Sequence, residues 1–105
     1  MVLDRDSQQM DAARQQLAEY GRRLVRDGLA FGSAGNLSVR VGELVAITPS
    51  SRPYETIEPE DVCVVAPGGT KLDGTGSVSS EWPMHSTVYS TTDAAAVVHT
   101  HSPEV

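Results

Sequence analysis

Met10, Ala13, Leu17, Tyr20 and Leu24 recur at spacings of three and four and form one apolar stripe. That period predicts an amphipathic α-helix with a single face turned to a core. Asp4, Asp6 and Ser7 are each plausible N-caps, and Gly28 is a natural C-terminal stop. Arg22, Arg23 and Arg26 complement the dipole at the helix end and read as a solvated basic face. The pattern then changes to period two. Leu37, Val39 and Val41 alternate with Asn36, Ser38 and Arg40; Gly42-Glu43 follows, then the apolar run Leu44 to Ile47. Two short strands around a Gly-X pair predict a tight hairpin.

Thr48 to Pro53 contains two prolines and reads as a loop, since proline cannot continue a central strand. Ile57 to Asp61 reads as a turn feeding a strand from Val62 to Ala66, and Pro67 to Thr70 turns the chain into a short strand at Lys71-Leu72. Gly74-Thr75-Gly76-Ser77 reads as a flexible approach to Ser79-Ser80-Glu81-Trp82-Pro83, where serine before glutamate and an early proline mark a helix start. That helix is predicted to run to about Thr91, with a last strand beyond Asp93. Helix, hairpin, strands, helix and strand imply an α/β layered domain with a mixed or largely antiparallel sheet.

The 105 residues allow one domain or part of one, and no repeat or linker divides residues 1–105. Hydrophobic content of 39% and charged content of 21% place the chain among globular proteins. A net charge of −6 argues against broad binding to nucleic acid or an anionic membrane, though not against a small phosphorylated substrate. Cys63 alone cannot form an internal disulfide, and it reads as a buried, inert thiol. The first ten residues have no apolar signal core and no run reaches membrane-spanning length, so a reducing cytoplasm is expected.

The chemistry concentrates in a few polar groups. His99-Thr100-His101 ends the apolar run Ala94 to Val98. On a strand, both imidazoles point to one side, where they can grip one divalent ion, with Glu81 as a third group. Two nitrogens and a carboxylate suit zinc. Structural or surface histidines are the alternative, and a carboxylate at a helix start is favourable in any case. His85 lies four residues after Glu81, on the same helix face. It can orient Glu81, reach a metal, or simply be hydrogen-bonded and half-buried. Gly32-Ser33-Ala34-Gly35-Asn36, Thr48-Pro49-Ser50-Ser51 and Ser79-Ser80 stand at element ends, where backbone N–H groups and hydroxyls can meet an anion. Ordinary turns and caps explain each of them separately. No Walker or Rossmann fingerprint, CxxC or Ser-His-Asp arrangement is legible.

Read together, four ordered segments resemble the class II aldolase/adducin family, in particular its zinc-dependent L-fuculose-phosphate aldolases and ribulose-phosphate 4-epimerases. They are Gly32 to Ser38, Ile47 to Tyr54, Ser79 to His85 and Val97 to His101. The resemblance implies a three-layer α/β/α sandwich around a mixed, mainly antiparallel sheet, usually in a homotetramer. It implies that His99 and His101 bind Zn2+, and that Glu81 is the acid/base and can touch the metal. Asn36, Ser50, Ser79 and Ser80, with the backbone at Gly35 and Ser51, would hold a sugar phosphate. The implied reaction is retro-aldol cleavage through an enediolate, with epimerisation or dehydration as variants of the same site. A non-catalytic module like the adducin head is the other alternative, against which the intact HxH argues. Two departures stand out. Ser51 occupies a position where many relatives have glycine, and the third zinc histidine and catalytic tyrosine of longer relatives are not in this sequence. The domain is therefore expected to lack its C-terminal side.

Overall fold

A computed structural model describes residues 2–28, 35–50 and 52–99, and for 2–6 the backbone alone. Helix α1 is Val2–Arg26, so it starts ahead of the expected caps. Met10, Ala13, Leu17 and Ala18 form its buried face. Tyr20 departs from the predicted stripe and is 51% exposed. The buried face instead passes through Gly21, where a Cβ would lie only 3.4 Å from the Tyr54 ring. Tyr20, about 100° round the helix from Gly21, is turned outward. Arg22 also departs from the solvated reading: its Nη1 donates to the Ile57 carbonyl at 2.5 Å.

The predicted hairpin is present as β1 (Asn36–Val41) and β2 (Leu44–Ile47), paired with Val41 opposite Leu44. Gly42 takes a φ of 59°, the left-handed value that a two-residue hairpin turn requires. Thr48 to Pro53 is not wholly a loop. Pro49–Ser50 forms a short strand, β3, against a later strand, β6 (Ser77–Val78). Proline is tolerated there because the pair forms a separate two-stranded sheet, where a missing N–H donor is not demanded by a second neighbour. A 3-10 turn at Pro59–Asp61 leads to β4 (Cys63–Val65) and β5 (Lys71–Asp73). Helix α2 is Trp82–Thr91, and β7 is Ala96–His99.

The main sheet runs β5-β4-β2-β1-β7, and every pairing in it among the described residues is antiparallel. Alternate residues of each strand serve opposite faces. Leu37, Ala46, Val62 and Val64 pack with α1, while Val45, Ile47, Cys63 and Val65 pack with Tyr89 of α2 and are joined by Trp82 and Val97. A helix on each face makes the arrangement α/β/α. It also explains the unbroken apolar run around β4, which is buried on both sides.

Gly74 to Ser77, expected to be flexible, is instead a tight corner. A Cβ at Gly74, whose φ is 109°, would come within 2.6 Å of the Val62 carbonyl oxygen, and one at Gly76 would overlap Pro49. Among the described residues no helix is long and apolar enough to cross a membrane.

Candidate active site

The site is built where β1, β7 and the start of α2 meet. Asn36 pairs with His99 and Ser38 with Val97 across the two strands. Period two then sets Asn36, Ser38, Val97 and His99 on one face, the face that α2 covers. The α2 start brings in Glu81, which occupies the N-cap position itself rather than the first turn. Ser79 shapes that start: its Oγ accepts from Glu81 N at 3.0 Å and its carbonyl accepts from Trp82 N at 3.0 Å. Ser79 thus braces the turn ahead of the helix without capping it, and its hydroxyl proton is left for another acceptor.

The Glu81 carboxylate and the His99 ring converge, with Oε1 3.5 Å from Nδ1. That separation is longer than a good N–H···O bond of about 2.7–3.2 Å. It matches the edge of a tetrahedron around zinc, about 3.3–3.5 Å for Zn–N and Zn–O distances of about 2.0–2.2 Å. One imidazole nitrogen and one carboxylate oxygen at this spacing fit a divalent metal. Among the described residues no group of three potential metal-binding side chains forms. His101, the second histidine of the motif, lies outside the described residues, as does Ser51.

Behind this pair lies a hydrogen-bonded chain that spacing alone did not reveal. His85 is fully buried rather than half-buried. Its Nε2 lies 2.5 Å from Asn36 Oδ1, and its Nδ1 lies 2.6 Å from Ser38 Oγ. Ser38 Oγ in turn lies 2.7 Å from the Tyr89 hydroxyl. Burial pushes the His85 pKa down to about 4, helped by the charge of His99 and opposed by Glu81. The ring is therefore neutral near pH 7, with one nitrogen donating and the other accepting. The signal for Ser38 was present in the alternation: a polar residue in the period-two register of a central strand needs an internal partner.

The three polar clusters are tied to one another. Thr48 Oγ1 accepts from Leu37 N at 3.0 Å and lies 3.0 Å from the Tyr54 hydroxyl, which donates to the Gly35 carbonyl at 2.5 Å. Burial holds the Tyr54 phenol above its ordinary pKa, so it remains a donor. Gly35 needs its positive φ of 85° to enter β1 at this point. The β3–β6 pairing sets Ser50 opposite Ser77, two residues before Ser79. Ser79 is buried and Ser80 is exposed at the same corner. Gly35, Asn36, Ser50, Ser79 and Glu81 are thus linked through short bonded paths. Cys63 lies away from them, buried, with burial pushing its thiol pKa up, as the inert reading expected.

The chain is similar to known proteins in both sequence and fold. The chain is 40% identical over 93 residues to a 5-deoxy-D-ribulose 1-phosphate aldolase of Bacillus thuringiensis serovar kurstaki, covering 86% of this chain and 44% of that protein. It is 43% identical over 76 residues to an L-fuculose phosphate aldolase of Haemophilus influenzae, covering 71% of this chain and 35% of the relative. A solved L-fuculose 1-phosphate aldolase superposes with a TM-score of 0.80 at 39% identity, covering 87% of this chain and 44% of that one. The chain thus spans less than half the length of these curated relatives. Residues 15–105 match the family profile described as Class II Aldolase and Adducin N-terminal domain, and the chain belongs to that family.

Proposed function

We propose that this domain forms one wall of a zinc-dependent, class II aldolase-type lyase site that cleaves a small ketose phosphate. The observation that carries the reading is the 3.5 Å approach of Glu81 Oε1 to His99 Nδ1, directly beside Asn36. Glu81, His99 and His101 would hold the metal. When bound, a divalent ion polarises a carbonyl and stabilises negative charge developing on its oxygen. Asn36, Ser50, Ser79 and Ser80, with backbone N–H groups at Gly35 and Ser51, would hold the phosphate and so fix the reacting carbons. The Ser79 hydroxyl, already accepting from Glu81 N, donates to a phosphate oxygen. With substrate in place Glu81 would leave the metal, take the proton of the hydroxyl whose carbon becomes the new carbonyl, and return it to the carbon that loses its bond. The named aldolases among the relatives support a phosphorylated ketose as substrate. Assembly into a homotetramer in the cytoplasm belongs to the same proposal.

Zinc titration by calorimetry tests it. The 105-residue chain is expected to bind zinc one-to-one but weakly, because two imidazoles and one carboxylate are the only groups this reading gives the metal. Glu81→Ala and His99→Ala are each expected to weaken binding about tenfold or more. Zinc uptake that neither substitution changes, or no uptake at all, would overturn the reading.

A further inference from the structure

We propose that His85 is a positioning residue: it locks the Asn36 carboxamide, through the chain Tyr89–Ser38–His85–Asn36, with its NH2 group turned toward the bound anion. This inference rests on the phosphate site proposed above and adds to it a buried group that touches no ligand.

The direction of the chain follows from counting donors and acceptors. Two arrangements satisfy the distances. In the first, Tyr89 O–H donates to Ser38, Ser38 O–H donates to His85 Nδ1, and His85 Nε2–H donates to Asn36 Oδ1. In the second, every bond is reversed and the Asn36 amide is flipped. The reversed chain would leave the Tyr89 hydroxyl proton with no acceptor among the described residues, since Ser38 Oγ is its hydrogen-bond neighbour and would itself be donating to it. The first arrangement gives both hydroxyl protons and the ring N–H of the chain an acceptor, as buried polar groups require.

The consequence lies at Asn36. With Oδ1 held by His85, Nδ2 donates to no described residue and is the part of the carboxamide left for a ligand. Flipped, the same side chain would present its carbonyl oxygen to an anion and repel it. His85 also belongs to α2, where its backbone N–H reaches the Glu81 carbonyl at 3.3 Å. One ring therefore sets both the facing of the Asn36 amide and its spacing from the helix that carries the acid.

Histidine ring-nitrogen NMR on the 105-residue chain, with inorganic phosphate as the probe, tests this. The proton is expected on Nε2, and the Asn36 side-chain NH2 signal is expected to shift as phosphate is added. His85→Leu is expected to weaken phosphate binding about ten- to a hundredfold, the loss expected for one hydrogen bond to a charged group. His85→Gln, which keeps a donor near the Nε2 position, is expected to stay within about threefold of the natural chain. With Asn36→Ala already in place, His85→Leu is expected to add nothing, because it acts through that amide. A merely structural histidine would lower affinity equally in both backgrounds. A proton on Nδ1, undiminished binding by His85→Leu, or full additivity with Asn36→Ala would each overturn the proposal. The tautomer is read on the natural chain, so the proposal stays falsifiable if His85→Leu does not fold. No phosphate binding by the natural chain overturns the anion site and this inference with it. Phosphate binding that survives His85→Leu overturns the inference alone.

Discussion

His85 joins the stability of the domain to pH. Its pKa of about 4 in the folded chain lies below the ordinary 6.5, so the folded state resists protonation more than the unfolded chain does. Its contribution is fully present above pH 6.5 and is lost as pH falls from there to about 4. The span corresponds to at most ~3 kcal/mol. Urea unfolding is expected to show stability rising with pH through that window and then levelling. His85→Gln should flatten the rise, and an unchanged slope in that variant would remove His85 as its cause. Much of this residue's setting was legible: its helix position relative to Glu81 and its hydrogen-bonded character both follow from the sequence. Its partners were not, because Asn36 and Ser38 lie 49 and 47 residues away and nothing in the spacing sets which strand faces α2.

Arg40 does for the elements what His85 does for the side chains. From β1 it reaches the far end of α2, where Nη1 donates to the Tyr89 carbonyl at 2.6 Å and Nη2 to the Ala94 and Thr92 carbonyls at 2.6 and 3.2 Å. Its guanidinium lies 4.9 Å from the centre of the Tyr89 ring. One side chain thereby satisfies carbonyls at the α2 end and in the link to β7. Arg40→Leu is expected to cost ~2–4 kcal/mol, from the lost charge-assisted bonds and the ring contact together. Arg40→Lys should recover only part, since an ammonium cannot fork to the same carbonyls. Thermal unfolding of the two variants checks both expectations, and equal stability of Lys and Arg at this position would contradict the fork. Elements with a sustained period or an unbroken apolar run were legible in the sequence, as α1, the β1–β2 hairpin and β4 show. β3 and β6 were not: each is two residues long, too short for a period, and one begins with proline. Tyr20 misled because an aromatic residue at helical spacing looks buried, while Gly21 beside it leaves room for the Tyr54 ring.

At the scale of the molecule, the sheet order decides which surfaces remain open. β7 carries His99 and pairs with β1 on one side, and among the described residues it is an edge strand. Its site-facing residues, Val97 and His99, are partly covered, whereas Val98 on the opposite face is 66% exposed beside Tyr20 and Leu24 of α1. The convergence of Glu81 with His99 was foreseeable from two local motifs, but the placing of Asn36 opposite His99 depends on a register between distant strands. A strand edge next to an exposed valine favours strand-to-strand association. The net charge of −6 opposes it, through repulsion that salt screens. Sedimentation of the 105-residue chain is therefore expected to show association that grows with protein concentration and with salt. Val98→Glu adds a charge of the same sign to the edge and places a carboxylate where the apolar contact would form. It should leave the fold intact, because so exposed a side chain contributes little to the core, while shifting the chain toward monomer at every salt concentration. Association of the variant equal to that of the natural chain would place the contact elsewhere than β7, and association that weakened with salt would make it electrostatic rather than apolar.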